Sequence, residues 1–253
     1  MKKHIIILYT FLSLNMFGQD YCSDIFDDAL EVYKEGDLKL ADSLLTISIN
    51  CDSIKSKYVF LKYYNRGVIR SDINEFELAK KDLIICLELK QNFYPAHENL
   101  ARCLLLNKEA EKAVKYIDSI SPIYDYQNKL EFNAAKAIGL VKLNRFEDLL
   151  KLSTDVLNRT EDSRFLRYKV LSYVRLNRIS YADTYVSLYY ANYPITTYLM
   201  EAKFYYLVAK KEYDLASKLL KDIYLKDSSF PLIYEDEEIN DIVKSVKEDL
   251  IDK

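Results

Sequence analysis

The sequence predicts an all-α fold: a solenoid, or α-α superhelix, of about six helical hairpins with a C-terminal capping helix. Three observations predict it. A phrase made of a polar turn and an amphipathic helix recurs, as "NEFELAKKDLIICLEL" from Asn74, "NRFEDLLKLSTDVL" from Asn144 and "KEYDLASKLLKDIY" from Lys211. A small or apolar residue stands five places after each turn, at Ala41, Ala79, Ala113, Leu149, Ala182 and Ala216, at intervals of 38, 34, 36, 33 and 34 residues. Only four Gly and four Pro occur in 253 residues. That is too few turn formers for a many-stranded β fold.

The chain opens with "MKKHIIILYTFLSLNMFGQD", a basic start followed by an apolar run from Ile5 to Phe17. The run is shorter than the roughly 20 residues of a membrane span. It reads as a secretory signal peptide over 1–19, cut near Gly18 or Gln19, with an uncleaved anchor as the alternative. No other segment is long and apolar enough to span a membrane. An exported chain, periplasmic, held in the cell envelope or secreted, is therefore expected.

The hairpins are predicted over 20–228. Twelve residues before each marker the first helix should carry a small residue, so that two helices approach closely and a larger neighbour fills the notch. Ala29, Gly67, Ala101 and Ala137 fit, while Val170 and Phe204 depart. Three residues before each marker an apolar or aromatic residue is expected: Leu38, Phe76, Phe146, Ile179 and Tyr213, with Ala110 a weaker version. Pro95, Pro122, Pro194 and Pro231 all fall between predicted hairpins, where they interrupt no helix interior. Over 229–253, Ile239, Ile242, Val243, Val246 and Leu250 keep helical spacing on one face, which predicts a helix that covers the open end of the stack.

A period near 34 with a helix–turn–helix in each unit resembles the tetratricopeptide repeat. The resemblance covers about Cys22 to Ser228. The repeats are degenerate: the early Trp of the family is missing, and only Pro194 stands in register at a repeat end. The leader is similar to those of exported Bacteroidota-like bacterial proteins. The family resemblance implies a non-enzymatic scaffold that binds a protein or peptide partner along a concave surface lined by the first helices. By register that lining is Leu61, Tyr64 and Val68; Glu98 and Arg102; Ala134 and Ile138; Arg164, Arg167 and Leu171; and Tyr198, Glu201 and Tyr205. Replacing Arg102 and Arg167 is expected to abolish partner capture with little loss of stability. The Lys/Asn set that clamps chaperone tails is missing, so such tails are not implied. The alternative is a structural part of a larger envelope complex, or a self-associating protein, that uses both faces.

Catalytic chemistry has little to build on. His97 is the one histidine after the leader, and its place after Pro95 suggests a surface residue. There is no phosphate-binding Gly-rich loop, CxxC pair or HExxH helix. Neither a catalytic site nor a metal or other cofactor is expected. The net charge of −3, without a basic run, gives no basis for nucleic-acid binding. "EDEE" at Glu235 to Glu238 suits the positive end of the capping helix better than a cation. Asn158 opens a formal glycosylation sequon, which has meaning only in a eukaryotic secretory route. Tyr181, Tyr185 and Tyr189 stand four apart and are expected in the core between repeats. Cys86 and Cys103 fall inside helices as buried thiols. Cys22 opens the first hairpin and Cys51 closes it, which brings the two together. In an exported chain they are a candidate disulfide, against the alternative of two free thiols.

Overall fold

The structure is a computed structural model that describes residues 22–51, 58–124, 129–160 and 162–251. The expected leader lies outside them. Among the described residues there is helix and turn but no strand. The chain divides into two compact units, one running to Glu109 and one starting at Ala110. Unit one contains α1 (22–35), α2 (Leu38–Cys51), α3 (Val59–Asp72), α4 (Phe76–Leu89) and α5 (Tyr94–Leu106). Unit two contains α6 (Ala110–Ile120), α7 (Leu130–Lys142), α8 (Phe146–Thr160), α9 (Arg164–Arg175), α10 (Ile179–Asn192), α11 (Thr197–Ala209), α12 (Tyr213–Lys226) and α13 (Glu237–Ile251).

The recurring phrase has a backbone cause. Gly36, Asn74, Lys108, Asn144, Asn177 and Lys211 all hold positive φ, between 54° and 93°. Each stands five residues before its marker and ends a helix in the left-handed conformation. In the second turn, the Asn74 N–H donates to the Ser71 carbonyl at 3.1 Å and the Glu75 N–H to the Arg70 carbonyl at 2.7 Å. The same pair of bonds recurs in the other five, for example at Lys211 to Val208 and Glu212 to Leu207. This is the Schellman closure, which satisfies carbonyls that the helix end leaves open. Left-handed backbone is unfavourable for a side chain with a Cβ, and Asn tolerates it better than most. The chain uses Asn at three of the six turns, Gly at one and Lys at two. The apolar position three before each marker is the first residue of the helix that follows: Leu38, Phe76, Ala110, Phe146, Ile179 and Tyr213.

All six markers are fully buried, and so are Ala29, Ala101, Ala137, Val170 and Phe204 on the preceding helices. Gly67 lets α3 and α4 meet: a Cβ there would lie 2.9 Å from Leu83 Cγ. In unit one, Ala29, Ala41, Leu45 and Ile69 pack together. Asp82, 2% exposed, ties α3 to α4 by accepting from Arg66 at 2.7 and 2.8 Å and from Arg70 at 2.9 Å. Unit two has one larger core in which Leu140, Leu149, Phe165, Tyr168, Phe204 and Leu220 are buried. The capping helix α13 joins it through Ile239, Ile242, Val243 and Val246. Asp236 precedes α13 and accepts from the Ile239 N–H at 3.1 Å, so this acidic run does cap the helix.

Cys22 and Cys51 are joined as a disulfide, with Cα atoms 5.8 Å apart. The Ser48 hydroxyl donates to the Cys22 carbonyl at 2.6 Å, and the buried Lys62 ammonium donates to the same carbonyl at 3.1 Å. The two ends of the first hairpin are thus held by covalent and polar contacts together. Among the described residues, no helix is long and apolar enough to cross a membrane.

Candidate functional site

In unit one, the first-helix residues named from sequence lie partly open to solvent. Leu61, Tyr64 and Val68 on α3 and Glu98 on α5 are half-buried, and Arg102 is exposed. Asp72, at the end of α3, links this face across three helices. It accepts from the Tyr33 hydroxyl of α1 at 3.1 Å and from the Arg102 guanidinium of α5 at 3.0 Å. The Asn99 amide donates to the Tyr64 hydroxyl at 3.2 Å, and the Tyr64 ring meets Phe93 edge-on at 5.2 Å. Tyr33, Asp72, Asn99 and Phe93 were not singled out from sequence. Asp72 had a signal available, since it stands four residues after Val68 on the same stripe.

The corresponding face of unit two is organised differently. Glu201 on α11 and Leu171 on α9 are buried at 0% and 1%, and Tyr205 is buried at 1%. They are not the open groove positions that the register implied. The reason is a buried polar network. Arg167 on α9 donates to Glu201 Oε2 at 3.0 Å and to the Tyr168 hydroxyl at 3.2 Å. Its guanidinium also lies over the rings of Tyr168 and Tyr198, at 4.9 and 4.7 Å from their centroids. Glu201 Oε1 accepts from the Ile233 N–H at 2.7 Å, and the Tyr205 hydroxyl accepts from the Tyr234 N–H at 3.0 Å. Burial raises the Glu201 carboxyl above the usual carboxylate range, against the opposing pull of Arg167. The segment between α12 and α13 therefore lies against the first-helix face of α9 and α11.

Other residues named from sequence make contacts within unit two. Ile138 and Ala134 on α7 pack against the core of unit two. Arg164, at the start of α9, pairs with Asp162 at 2.8 Å and with Glu131 of α7 at 3.1 Å. Arg175 was not singled out, although it stands four residues after Leu171 on the same stripe. It pairs with Asp236 at 2.9 Å.

Two other expectations need correction. His97 is buried at 5%, not a surface residue, and its Nε2 lies 2.7 Å from the Gln91 carbonyl. Pro95 stands in the first turn of α5, where its missing N–H costs no helix bond, and His97 follows in the same turn. Of the tyrosine stripe, Tyr185 and Tyr189 pack at the core margin, but Tyr181 is 58% exposed and stacks on Tyr173 at 5.4 Å. The helix turns about 100° per residue, so a spacing of four drifts out of the buried sector. Cys86 and Cys103 are free and buried, and burial pushes the Cys86 thiol up to about 12. A thiol so raised supplies almost no thiolate near neutrality and is a poor nucleophile.

No family model matches the chain. A stretch of 94 residues is 28% identical to DnaJ homolog subfamily C member 7 of Mus musculus, covering 37% of this chain and 19% of that protein. The same length is 27% identical to the Homo sapiens protein, with the same coverage. Among solved structures, PilF of Pseudomonas aeruginosa is similar with a TM-score of 0.60 and 12% identity, over 90% of this chain and 99% of that one. PilW, a type IV pilus biogenesis factor, gives 0.60 at 14% identity over 88% and 98%. A tetratricopeptide repeat protein of Parabacteroides merdae gives 0.53 at 12% identity over 89% and 98%. At these identities the likeness is one of fold. The fold is all-α, of the tetratricopeptide solenoid type.

Proposed function

We propose that the protein is a non-enzymatic, exported scaffold that holds an extended peptide of a protein partner on the first-helix faces of its hairpins. The observation that carries this reading is the way Glu201 and Tyr205 of α11 hold residues 233 and 234 by their backbone. A face that binds main-chain N–H groups suits any extended chain, whatever its side chains. On unit one the same face presents Leu61, Tyr64, Val68 and Arg102, apolar, aromatic and Arg groups of the kinds that anchor partners. Export is supported by the leader and by the Cys22–Cys51 bond, which an oxidising compartment would preserve.

The test is crosslinking of the tagged full chain to its partners in native cell envelopes, with Arg102→Ala for comparison. The Arg102–Asp72 pair is exposed, so its loss costs under about 1 kcal/mol. Partner capture should fall while the melting temperature holds. An unchanged partner profile would overturn the assignment of unit one.

A second reading, a structural part of a larger complex, is favoured by apolar groups off this face. Leu40 and Ile47 on α2 and Leu78 and Ile84 on α4 are each 40% exposed or more. Sedimentation with and without envelope extract separates the two readings. A homogeneous self-assembly without extract would favour the second.

A further inference from the structure

Residues 227–236 connect α12 to α13 without helix. Within them "FPLIYED", Phe230 to Asp236, runs across the first-helix face of α9 and α11. The Ile233 N–H donates to Glu201 Oε1 at 2.7 Å, and the Tyr234 N–H donates to the Tyr205 hydroxyl at 3.0 Å. That hydroxyl lies 3.1 Å from the Tyr234 carbonyl and 2.9 Å from Glu201 Oε1, and its one proton serves one of them at a time. Phe230 sets its ring 5.6 Å from that of Tyr198. The Arg175 guanidinium lies 4.8 Å from the centre of the Tyr234 ring and 2.9 Å from the Asp236 carboxylate.

These contacts define what the site reads. Glu201 and Tyr205 take backbone groups, which every extended peptide carries. Arg175 takes an aromatic face and a carboxylate two residues further on. The Arg175–Asp236 pair is about a third exposed on both sides, so the outer end of the contact is open to solvent. A cavity of about 230 Å³ lies beside Tyr234, lined among others by Leu171, Val174, Tyr205, Val208 and Ile239. The Tyr234 ring therefore does not fill the space offered next to it.

We infer that α9 and α11 form a binding site for an extended peptide with an aromatic residue two places before a carboxylate, and that residues 230–236 occupy it as a built-in competitor. The inference rests on the proposed peptide-holding role of the first-helix faces. The competitor is tethered at both ends, at an effective concentration on the order of millimolar. A partner must match its contacts and add others, such as a larger group in the adjoining cavity. Weak or unrelated peptides are thereby excluded.

The experiment measures binding of a fluorescein-labelled synthetic peptide of residues 229–238 to the full chain, by anisotropy. Wild type should bind it weakly. Tyr234→Ala with Asp236→Ala, which weakens the tethered copy, should bind at least about tenfold more tightly, because a larger fraction of the site is free. Adding Arg175→Ala should reverse the gain. A double variant that keeps the wild-type helical circular dichroism and gains no affinity overturns the inference. If that variant does not fold, hydrogen exchange on the wild-type chain decides. Ile233 and Tyr234 amides that exchange well before the protected amides of α9 and α11 support a releasable segment. Amides as slow as those helices overturn it. The Arg102→Ala crosslinking result stands apart, so failure here leaves the proposed role of unit one standing or falling by itself.

Discussion

Gly67 and Arg167 show how much depends on single residues whose neighbours are already in contact. A Cβ at Gly67 would lie 2.9 Å from Leu83 Cγ and 3.3 Å from the Ala79 carbonyl, so a larger group forces α3 and α4 apart. Gly67→Leu should lower stability by about 1–3 kcal/mol or more, read as a drop in melting temperature. A variant that melts like wild type would show that the two helices do not meet there. Arg102 and Arg167, both expected from sequence to contact a partner, differ in burial. Arg102 is exposed, whereas the Arg167 side chain is 12% exposed and faces a carboxylate with no exposure. Arg167→Ala leaves Glu201 buried without its cation, and should cost about 3–5 kcal/mol. Arg102→Ala should leave the melting temperature almost unchanged. The expectation that both could be removed with little loss of stability fails on Arg167. Register gives the face of a helix, but not what later chain lies on it.

At the level of elements, the turns and second helices were legible because their signals are local. The left-handed residue, the two closing hydrogen bonds and the buried marker fall within about ten residues of chain. The packing of residues 230–236 was not legible, because it joins positions 29 to 61 residues apart. Two hints were nonetheless present. Glu201 interrupts the apolar helix "TYLMEAKFYYLVA", and a buried carboxylate needs a partner, which Arg167 supplies from 34 residues earlier, one repeat away. The linker carries Phe230, Leu232, Ile233 and Tyr234, too apolar a run for an exposed connection. The first hairpin yields an element-scale prediction. Its disulfide closes the open ends of α1 and α2, while Cys86 and Cys103 are buried thiols. Alkylation with mass readout should mark no cysteine in the native protein, two after denaturation and four after denaturation with reductant. Reduction should also speed hydrogen exchange in α1 and α2, because closing a loop of this size contributes about 2–4 kcal/mol. Four labels without reductant would remove the clasp and with it one support for export.

For the whole molecule, the all-α solenoid was legible from the period, whereas the division at Glu109 was not, since the markers pass through it at an unbroken spacing. Core composition sets a property that each unit carries on its own, a sensitivity to alkali. Burial raises the Cys86 thiol in unit one from 9.0 to about 12. In unit two it raises the Tyr190 hydroxyl from 10.0 to about 12. Both groups therefore keep, in the folded chain, protons that the unfolded chain releases earlier. The folded state binds more protons across that window, so stability falls as pH rises. Their contribution is intact below about 9 and is lost on the way to about 12. The Tyr190 hydroxyl has a further cost, being buried without a hydrogen-bond partner among the described residues. Removing such a group and keeping its ring is neutral or stabilising. Tyr190→Phe should thus melt at or above the wild-type temperature at neutral pH and lose part of the alkaline decline, which thermal melts from about pH 7 to 11 would resolve. Every other ionisable group is common to both proteins, so the difference between the two curves isolates the buried hydroxyl. Parallel curves would mean that the Tyr190 environment is no drier than the surface, and that the core around α10 and α11 admits water.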